Sequence, residues 1–273
     1  MTSPAMLSVV IPVYNEEASL PELLRRTEAA CLELGRAFEI VLVDDGSRDR
    51  SAELLQAAAE RDGSAVVAVI LNRNYGQHAA IMAGFEQCRG DVVVTLDADL
   101  QNPPEEIGKL LEAVRAGHDY VGSIRRQRED ALWRSVASKA MNRLRERITR
   151  IKMTDQGCML RAYRREIVEA MLDCREVNTF IPALAYTFAH QPTEVVVEHE
   201  ARAAGESKYS LYSLIRLNFD LMTGFSVVPL QFFSMLGMLI SLGSGLLVAT
   251  LIVRRLLGET LGREAAILVA DDD

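Results

Sequence analysis

Two aspartates separated by a single residue, Asp97-Ala98-Asp99, stand directly after the apolar run Val92-Val93-Val94-Thr95-Leu96 and just before Gln101. A buried parallel strand that ends this way delivers both carboxylates to the carboxyl edge of a sheet, where open α/β folds bind their ligands. Carboxylates at that spacing can converge on one hard cation. Mg²⁺ and Mn²⁺ prefer such oxygen ligands, and Mg²⁺ commonly completes its shell with phosphate oxygens and water. Asp97 and Asp99 are therefore candidates for holding a divalent metal together with a diphosphate. Taken alone, the tripeptide also reads as an acidic turn. Its neighbours decide the matter: Pro12, Tyr14, Asn15 and Glu16 follow one apolar run, and Asp44-Asp45-Gly46-Ser47 close another.

The elements that must position these residues alternate. Leu7 to Val13 reads as a strand, and Ser19 to Leu34 shows helical spacing through Leu20, Leu23, Leu24, Thr27 and Cys31. A strand over Glu39 to Val43 leads to a helix over about Ser51 to Arg61. A third strand covers Ala65 to Leu71, a helix follows from Gly76 to Cys88, and the fourth strand delivers Asp97. Pro103-Pro104 suits a helix start, with the helix reaching Ala116 and a strand at Asp119 to Ser123 after it. This succession predicts an α/β protein with a Rossmann-like, mostly parallel sheet and flanking helices. All the candidate residues above would then share one rim. No glycine-rich fingerprint follows the first strand, which argues against a dinucleotide-dependent dehydrogenase.

Beyond Ser123 the alternation stops. Arg125 to Lys152 is arginine-rich with apolar residues at helical intervals, a pattern that suits the membrane interface and equally an ordinary solvated helix. Leu211 to Met222 is a second amphipathic stretch. It runs into a span without any charge from Leu221 to Val253, long enough to cross a bilayer. The sequence divides accordingly into a globular domain over 1–210, a juxtamembrane helix over 211–224, a transmembrane helix over 225–253 and a tail over 254–273.

The net charge of −8 is a poor match for non-specific nucleic-acid binding, so no nucleic-acid partner is expected and anionic ligands must meet local basic clusters. Cys31, Cys88, Cys158 and Cys174 form no Cys-x-x-Cys pair, which argues against a zinc knuckle or a disulfide framework. The first residues lack the pattern of a signal peptide, so the globular domain is expected on the cytoplasmic side of the inner membrane. His78 and His199 have no partner histidine at ligand spacing and read as structural or donor-contacting residues.

Four stretches in order, Val10 to Glu16 (Val-Ile-Pro-Val-Tyr-Asn-Glu), Val43 to Ser47 (Val-Asp-Asp-Gly-Ser), Asp97 to Pro104 (Asp-Ala-Asp-Leu-Gln-Asn-Pro-Pro) and Gly205 to Tyr209 (Gly-Glu-Ser-Lys-Tyr), carry a resemblance. With them the chain, from about Leu7 to Val253, resembles the family 2 glycosyltransferases of the GT-A fold, and among them the polyprenyl-phosphate glycosyltransferases related to dolichol-phosphate mannose synthase. Leu71 to His78 and Asp155 to Tyr163 resemble most the bacterial branch that moves 4-deoxy-4-formamido-L-arabinose to undecaprenyl phosphate in lipid A modification and polymyxin resistance. Glucose-transferring sister enzymes look similar there.

The resemblance implies a UDP-sugar donor, a polyprenyl phosphate acceptor, the lipid bilayer as surface, and Mg²⁺ or Mn²⁺ as cofactor. It places Pro12, Tyr14, Glu16 and Asp45 around the uridine, with Asp97 on the donor and Asp97, Asp99 and Gln101 on the metal. Asp155 falls where the family has its catalytic aspartate, with Asp99 beside it in the chemistry. Arg125, Arg134, Arg202 and Lys208 fall where it grips the lipid and donor phosphates. A homo-oligomer is an open expectation. The family's second transmembrane helix is expected to be missing, because Ala265 to Ala270 is too short to cross. Two rivals remain at this level, a nucleotidyltransferase using the same carboxylates and a membrane-anchored protein that only binds nucleotide sugars.

Overall fold

The computed structural model describes residues 6–125, 153–155, 157–174, 180–200 and 227–256. Both amphipathic segments, the stretch Gly205 to Tyr209, and Arg134, Arg202 and Lys208 lie outside the described residues. The chain forms two compact units, Met1–Leu211 and Tyr212–Asp273.

In the first unit, β1 (Leu7–Val13), α1 (Leu20–Glu33), β2 (Phe38–Asp44), α2 (Ser51–Ala59), β3 (Val66–Ile70), α3 (Gln77–Gln87) and β4 (Val92–Thr95) alternate as expected. The predicted apolar stripe of α1 is the face that is buried: Leu20, Leu23, Leu24, Thr27 and Cys31 all turn inward. A 3-10 turn at Pro104–Glu106 leads into α4 (Ile107–Arg115), and β5 (Tyr120–Arg125) follows. The sequence reading did not identify the remaining elements, β6 (Arg161–Arg164), α5 (Arg165–Asp173), α6 (Ile181–Phe188) and β7 (Pro192–Val197).

The seven strands lie in the order β3-β2-β1-β4-β6-β5-β7. β1 pairs in parallel with both β2 and β4, so the chain reverses its direction of winding at β1 and opens a crevice at the strands' carboxyl ends. β6 runs antiparallel to both neighbours, with Thr95 opposite Arg161. That reversal has a positional consequence. The segment entering β6 from Asp155 must arrive at the edge where β4 and β5 end, whereas a parallel strand would have sent it to the far side.

Aliphatic side chains from β1, β2, β4 and the helices fill the core, and β1 and β2 are buried almost throughout. α3 packs across β1 and β2. It comes close because position 84 is glycine: a Cβ there would lie 2.4 Å from Val10 Cγ1. The close approach sets where the first residue of α3, Gln77, meets the rim.

In the second unit α7 (Val228–Leu256) is a single helix, and its apolar part, Leu230–Leu256, is 27 residues long. At 1.5 Å per residue it is about 40 Å in length, more than the ~30 Å hydrocarbon core of a bilayer. Large apolar side chains are exposed all around it, among them Phe232, Phe233, Leu239, Leu246 and Ile252. One helix suited to a membrane span is therefore present among the described residues.

Candidate active site

The rim is assembled from the ends of six strands and the start of a seventh. Pro12 is the last but one residue of β1, and Tyr14, 41% exposed, and the left-handed Asn15 (φ 54°) follow the strand. Asn15 is pinned on both sides. Its N–H donates to Ser47 Oγ at 2.9 Å, and its Oδ1 accepts from Arg48 N at 2.8 Å. Glu16 is tied to the next segment through its N–H, which donates to Ser51 Oγ at 3.0 Å, and its Oε2 accepts from Ser19 Oγ at 2.8 Å. The first two loops thus form one interlocked wall.

Asp45 is buried and holds the loop that precedes α3: its two oxygens accept the N–H groups of Tyr75 at 2.7 Å and Gly76 at 2.9 Å. The same loop presses on Gly46. With φ at 68° and a would-be Cβ 2.4 Å from Arg73 C, only glycine fits there. Gly46→Ala is expected to cost about 2–4 kcal/mol from the left-handed backbone and the backbone clash together, or roughly 5–10 °C in melting temperature. A variant that melts within a degree of the parent would show that the Arg73 loop moves away freely.

Beyond β4, Leu100 is left-handed (φ 59°) and folds the chain back, so that Asp99 Oδ1 accepts the N–H of Gln101 at 3.1 Å. Asp97 accepts two amide hydrogen bonds, from Gln77 Nε2 to Oδ1 at 2.7 Å and from Asn102 Nδ2 to Oδ2 at 3.1 Å. Burial, and then the neighbouring Asp99 charge, push the Asp97 carboxyl up to about 7; the two amides and the more distant Arg125 only partly oppose this.

Asp155 reaches the same edge. It is buried and takes a bidentate ion pair from Arg125 at the end of β5, Nε to Oδ2 at 2.6 Å and Nη2 to Oδ1 at 2.9 Å. The Gly157 N–H adds a bond to Oδ1 at 3.1 Å. Behind it the fully buried Arg161 donates from Nη2 to the Asp155 carbonyl at 2.7 Å, from Nε to the Cys158 carbonyl at 2.8 Å, and to the Tyr120 hydroxyl. Arg161 therefore fixes the backbone of the Asp155 turn from below. Sequence reasoning missed it, because a lone arginine within an apolar stretch looks like a surface residue.

His199, two residues beyond β7, lies within electrostatic reach of Arg125, Asp99 and Asp155. Burial, and then the Arg125 charge, hold its pKa below the usual histidine value. His78, at the start of α3 and edge-on to Phe180 at 5.1 Å, is pushed down to about 4 by burial, with the Arg161 charge adding to it. The Nδ1 atoms of both rings are buried without a hydrogen-bond partner, polar atoms that a bound ligand could satisfy. Of the expected site residues, Pro12, Tyr14, Glu16, Asp45, Asp97, Asp99, Gln101, Arg125 and Asp155 all fall on this one rim of the sheet.

Residues 8–172 match glycosyl transferase family 2. A protein described as undecaprenyl-phosphate 4-deoxy-4-formamido-L-arabinose transferase, from Pseudomonas aeruginosa strain LESB58, is 67% identical over 251 residues, which are 92% of this chain and 74% of that protein. Its namesake in Pseudomonas fluorescens strain SBW25 is 60% identical over 250 residues, covering 92% of this chain and 73% of the relative. Among solved structures, the glucosyl-3-phosphoglycerate synthase of Mycobacterium tuberculosis, crystallised with Mn²⁺, UDP and phosphoglyceric acid, superposes with a TM-score of 0.54 at 20% identity. The match covers 80% of this chain and 76% of that one, a likeness of fold. The antiparallel strand that carries Asp155 onto the acidic rim is thus part of a GT-A-like scaffold, and this chain is a glycosyltransferase belonging to family 2, closely related to the undecaprenyl-phosphate 4-deoxy-4-formamido-L-arabinose transferases.

Proposed function

We propose that the protein transfers the sugar of a UDP-sugar, UDP-4-deoxy-4-formamido-L-arabinose, to undecaprenyl phosphate at the cytoplasmic face of the inner membrane. The observation that carries this reading is the arrival of Asp97, Asp99 and the Arg125–Asp155 pair at one edge of the sheet, in a chain two-thirds identical to transferases of that name. Residues 1–210 are assigned to catalysis and 225–253 to crossing the membrane. The span tethers the transferase to the bilayer that holds its acceptor.

The donor set fits a hard divalent cation, Mg²⁺ or Mn²⁺. Asp97, Asp99 and Gln101 are fewer ligands than a six-coordinate cation takes, so they would leave coordination positions for diphosphate oxygens. Burial first, and then repulsion from Asp99, raise Asp97, and a bound cation would relieve both. When bound, the cation neutralises the diphosphate leaving group.

The rest falls to the chain. Pro12, Tyr14, Glu16 and the loop held by Asp45 take the uridine, and His199 contacts the donor. An acceptor phosphate monoester, with a second pKa of about 6, is largely a dianion at neutral pH and supplies its own nucleophilic oxygen. It attacks the anomeric carbon as the bond to UDP breaks, in a single displacement with inversion. Asp155 is clamped by Arg125 and therefore acts as an oriented charge beside the developing positive carbon, while Arg125, Arg134, Arg202 and Lys208 offset the repulsion between two polyanions.

The test is incubation of membranes containing the protein with undecaprenyl phosphate and a panel of labelled UDP-sugars. Lipid-extractable label is expected chiefly from the formamido-arabinose donor. Label from UDP-glucose instead would move the specificity to the glucosyl branch. UDP-sugar binding without any lipid product would leave a binding protein.

A further inference from the structure

The Asp97 carboxylate is not held by the backbone of its own loop. Its two oxygens are gripped from opposite sides by amide side chains, Gln77 from the first position of α3 and Asn102 from the turn after Gln101. Asn102 is 3% exposed, and its orientation is set from within the core. Its Oδ1 accepts the Cys158 thiol at 3.4 Å, and the sulfur lies 2.8 Å from Ser123 Oγ, which also reaches the Leu160 carbonyl at 2.6 Å. A thiol hydrogen directed at the amide oxygen leaves only the NH₂ end of Asn102 to face Asp97. A line of contacts therefore runs from β5 and the lead-in to β6 out to the acidic rim.

We propose that Gln77 and Asn102 form an amide bracket that positions the Asp97 carboxylate for the donor cation, with Cys158 holding Asn102 in register. This rests on the metal-dependent reading above and assigns positioning roles that the family resemblance does not. Each Asp97 oxygen spends one lone pair on the bracket and keeps one for ligation, so the carboxylate is turned without being blocked. Outer partners of this kind orient carboxylate ligands, and their loss commonly weakens metal binding by about 10–100-fold. Cys158 accounts for its own burial in this scheme, since it is fully enclosed and burial pushes its thiol pKa up, which suits a donor that stays protonated.

The test is Mn²⁺ titration of the full-length protein in the presence of UDP, read by the electron paramagnetic resonance signal of free Mn²⁺. Gln77→Ala and Asn102→Ala are each expected to weaken binding at least tenfold. Cys158→Ala should produce a smaller loss that Cys158→Ser restores. Gln77 is exposed at a helix start, so its variant folds even if Asn102→Ala does not, and it then decides the question alone. A purely structural role would lower the melting temperature or kcat without moving the Mn²⁺ dissociation constant. Less than threefold change in that constant for every folded variant would overturn the bracket. Failure of the parent protein to bind Mn²⁺ with UDP would instead sink the metal reading itself, independently of the variants.

Discussion

Asp97→Asn is expected to abolish sugar transfer, by at least about 10³-fold, and at the same time to make the metal-free protein more stable. The two effects have one cause. Held up to about 7 by burial and the Asp99 charge, the Asp97 carboxylate is a liability to the fold when no cation is present. The sign follows from linkage. A carboxyl whose folded-state pKa lies above its unfolded value of about 3.9 favours folding when protonated, so the metal-free protein loses stability from this group as pH rises from about 4 through 7. Above pH 7 the whole penalty is present. A tenfold difference in proton affinity between folded and unfolded states corresponds to about 1.4 kcal/mol, offset in the variant by the poorer fit of an amide to the donors of Gln77 and Asn102. A net gain of about 1–2 kcal/mol remains, seen as roughly 3–6 °C in melting temperature at pH 8 in chelator and as nothing at pH 4. Added Mn²⁺ and UDP should reverse the order, stabilising the parent and not the variant. A variant less stable than the parent in chelator at pH 8 would mean that Asp97 contributes more as a hydrogen-bond acceptor than it costs as a charge. Such a trade between stability and function is ordinary at binding sites.

The half of the fold that carries this rim could be read from sequence because β1, β2 and β4 are buried on both faces and α1 is amphipathic. Val9 to Ile11, Ile40 to Val43 and Val92 to Val94 are unbroken apolar runs. The stripe of α1 repeats at helical intervals. The second half offered neither signal. β6 is four residues long with arginine at each end, and the inner of these, Arg161, is wholly enclosed through bonds to carbonyls and a phenol that no periodicity reveals. β7 begins with Pro192 and is only partly covered, with Val197 its one fully buried position, so it shows neither an apolar run nor clean alternation. The site divides in the same way. Asp97, Asp99 and Asp45 follow strong strands and were legible as chemistry. Asp155 acquired meaning only through resemblance, because its place on the rim depends on the direction of β6. Gln77 and Asn102 lie within stretches that carry the resemblance, but they are uncharged amides to which it assigns no role, so only the hydrogen bonds to Asp97 single them out.

That dependence makes Asp155 the sharper mechanistic test. Asp155→Asn is expected to lower kcat by about 10²–10⁴-fold and to cost about 2–4 kcal/mol, since it leaves Arg125 partly buried and unpaired. Loss of rate alone would not separate an oriented charge from a general base, but the pH profile does. With Asp155 clamped by two short bonds from Arg125 and a third from the Gly157 N–H, the carboxylate is tied to a cation within the fold, and the proton to be lost belongs to the acceptor phosphate. At saturating Mn²⁺ the rate should fall on the acid side with an apparent pKa near 6, the second ionisation of a phosphate monoester, and stay flat above it. The residual rate of Asp155→Asn should keep that limb unmoved. Arg125→Met should lose transfer to a similar degree, and the double variant should be little worse than either single one, because the pair acts as a unit. If the acid limb disappears in Asp155→Asn, the carboxylate takes the proton after all. Its ion pair with Arg125 would then have to open before each turnover, and raising the ionic strength should speed the reaction instead of leaving it unchanged.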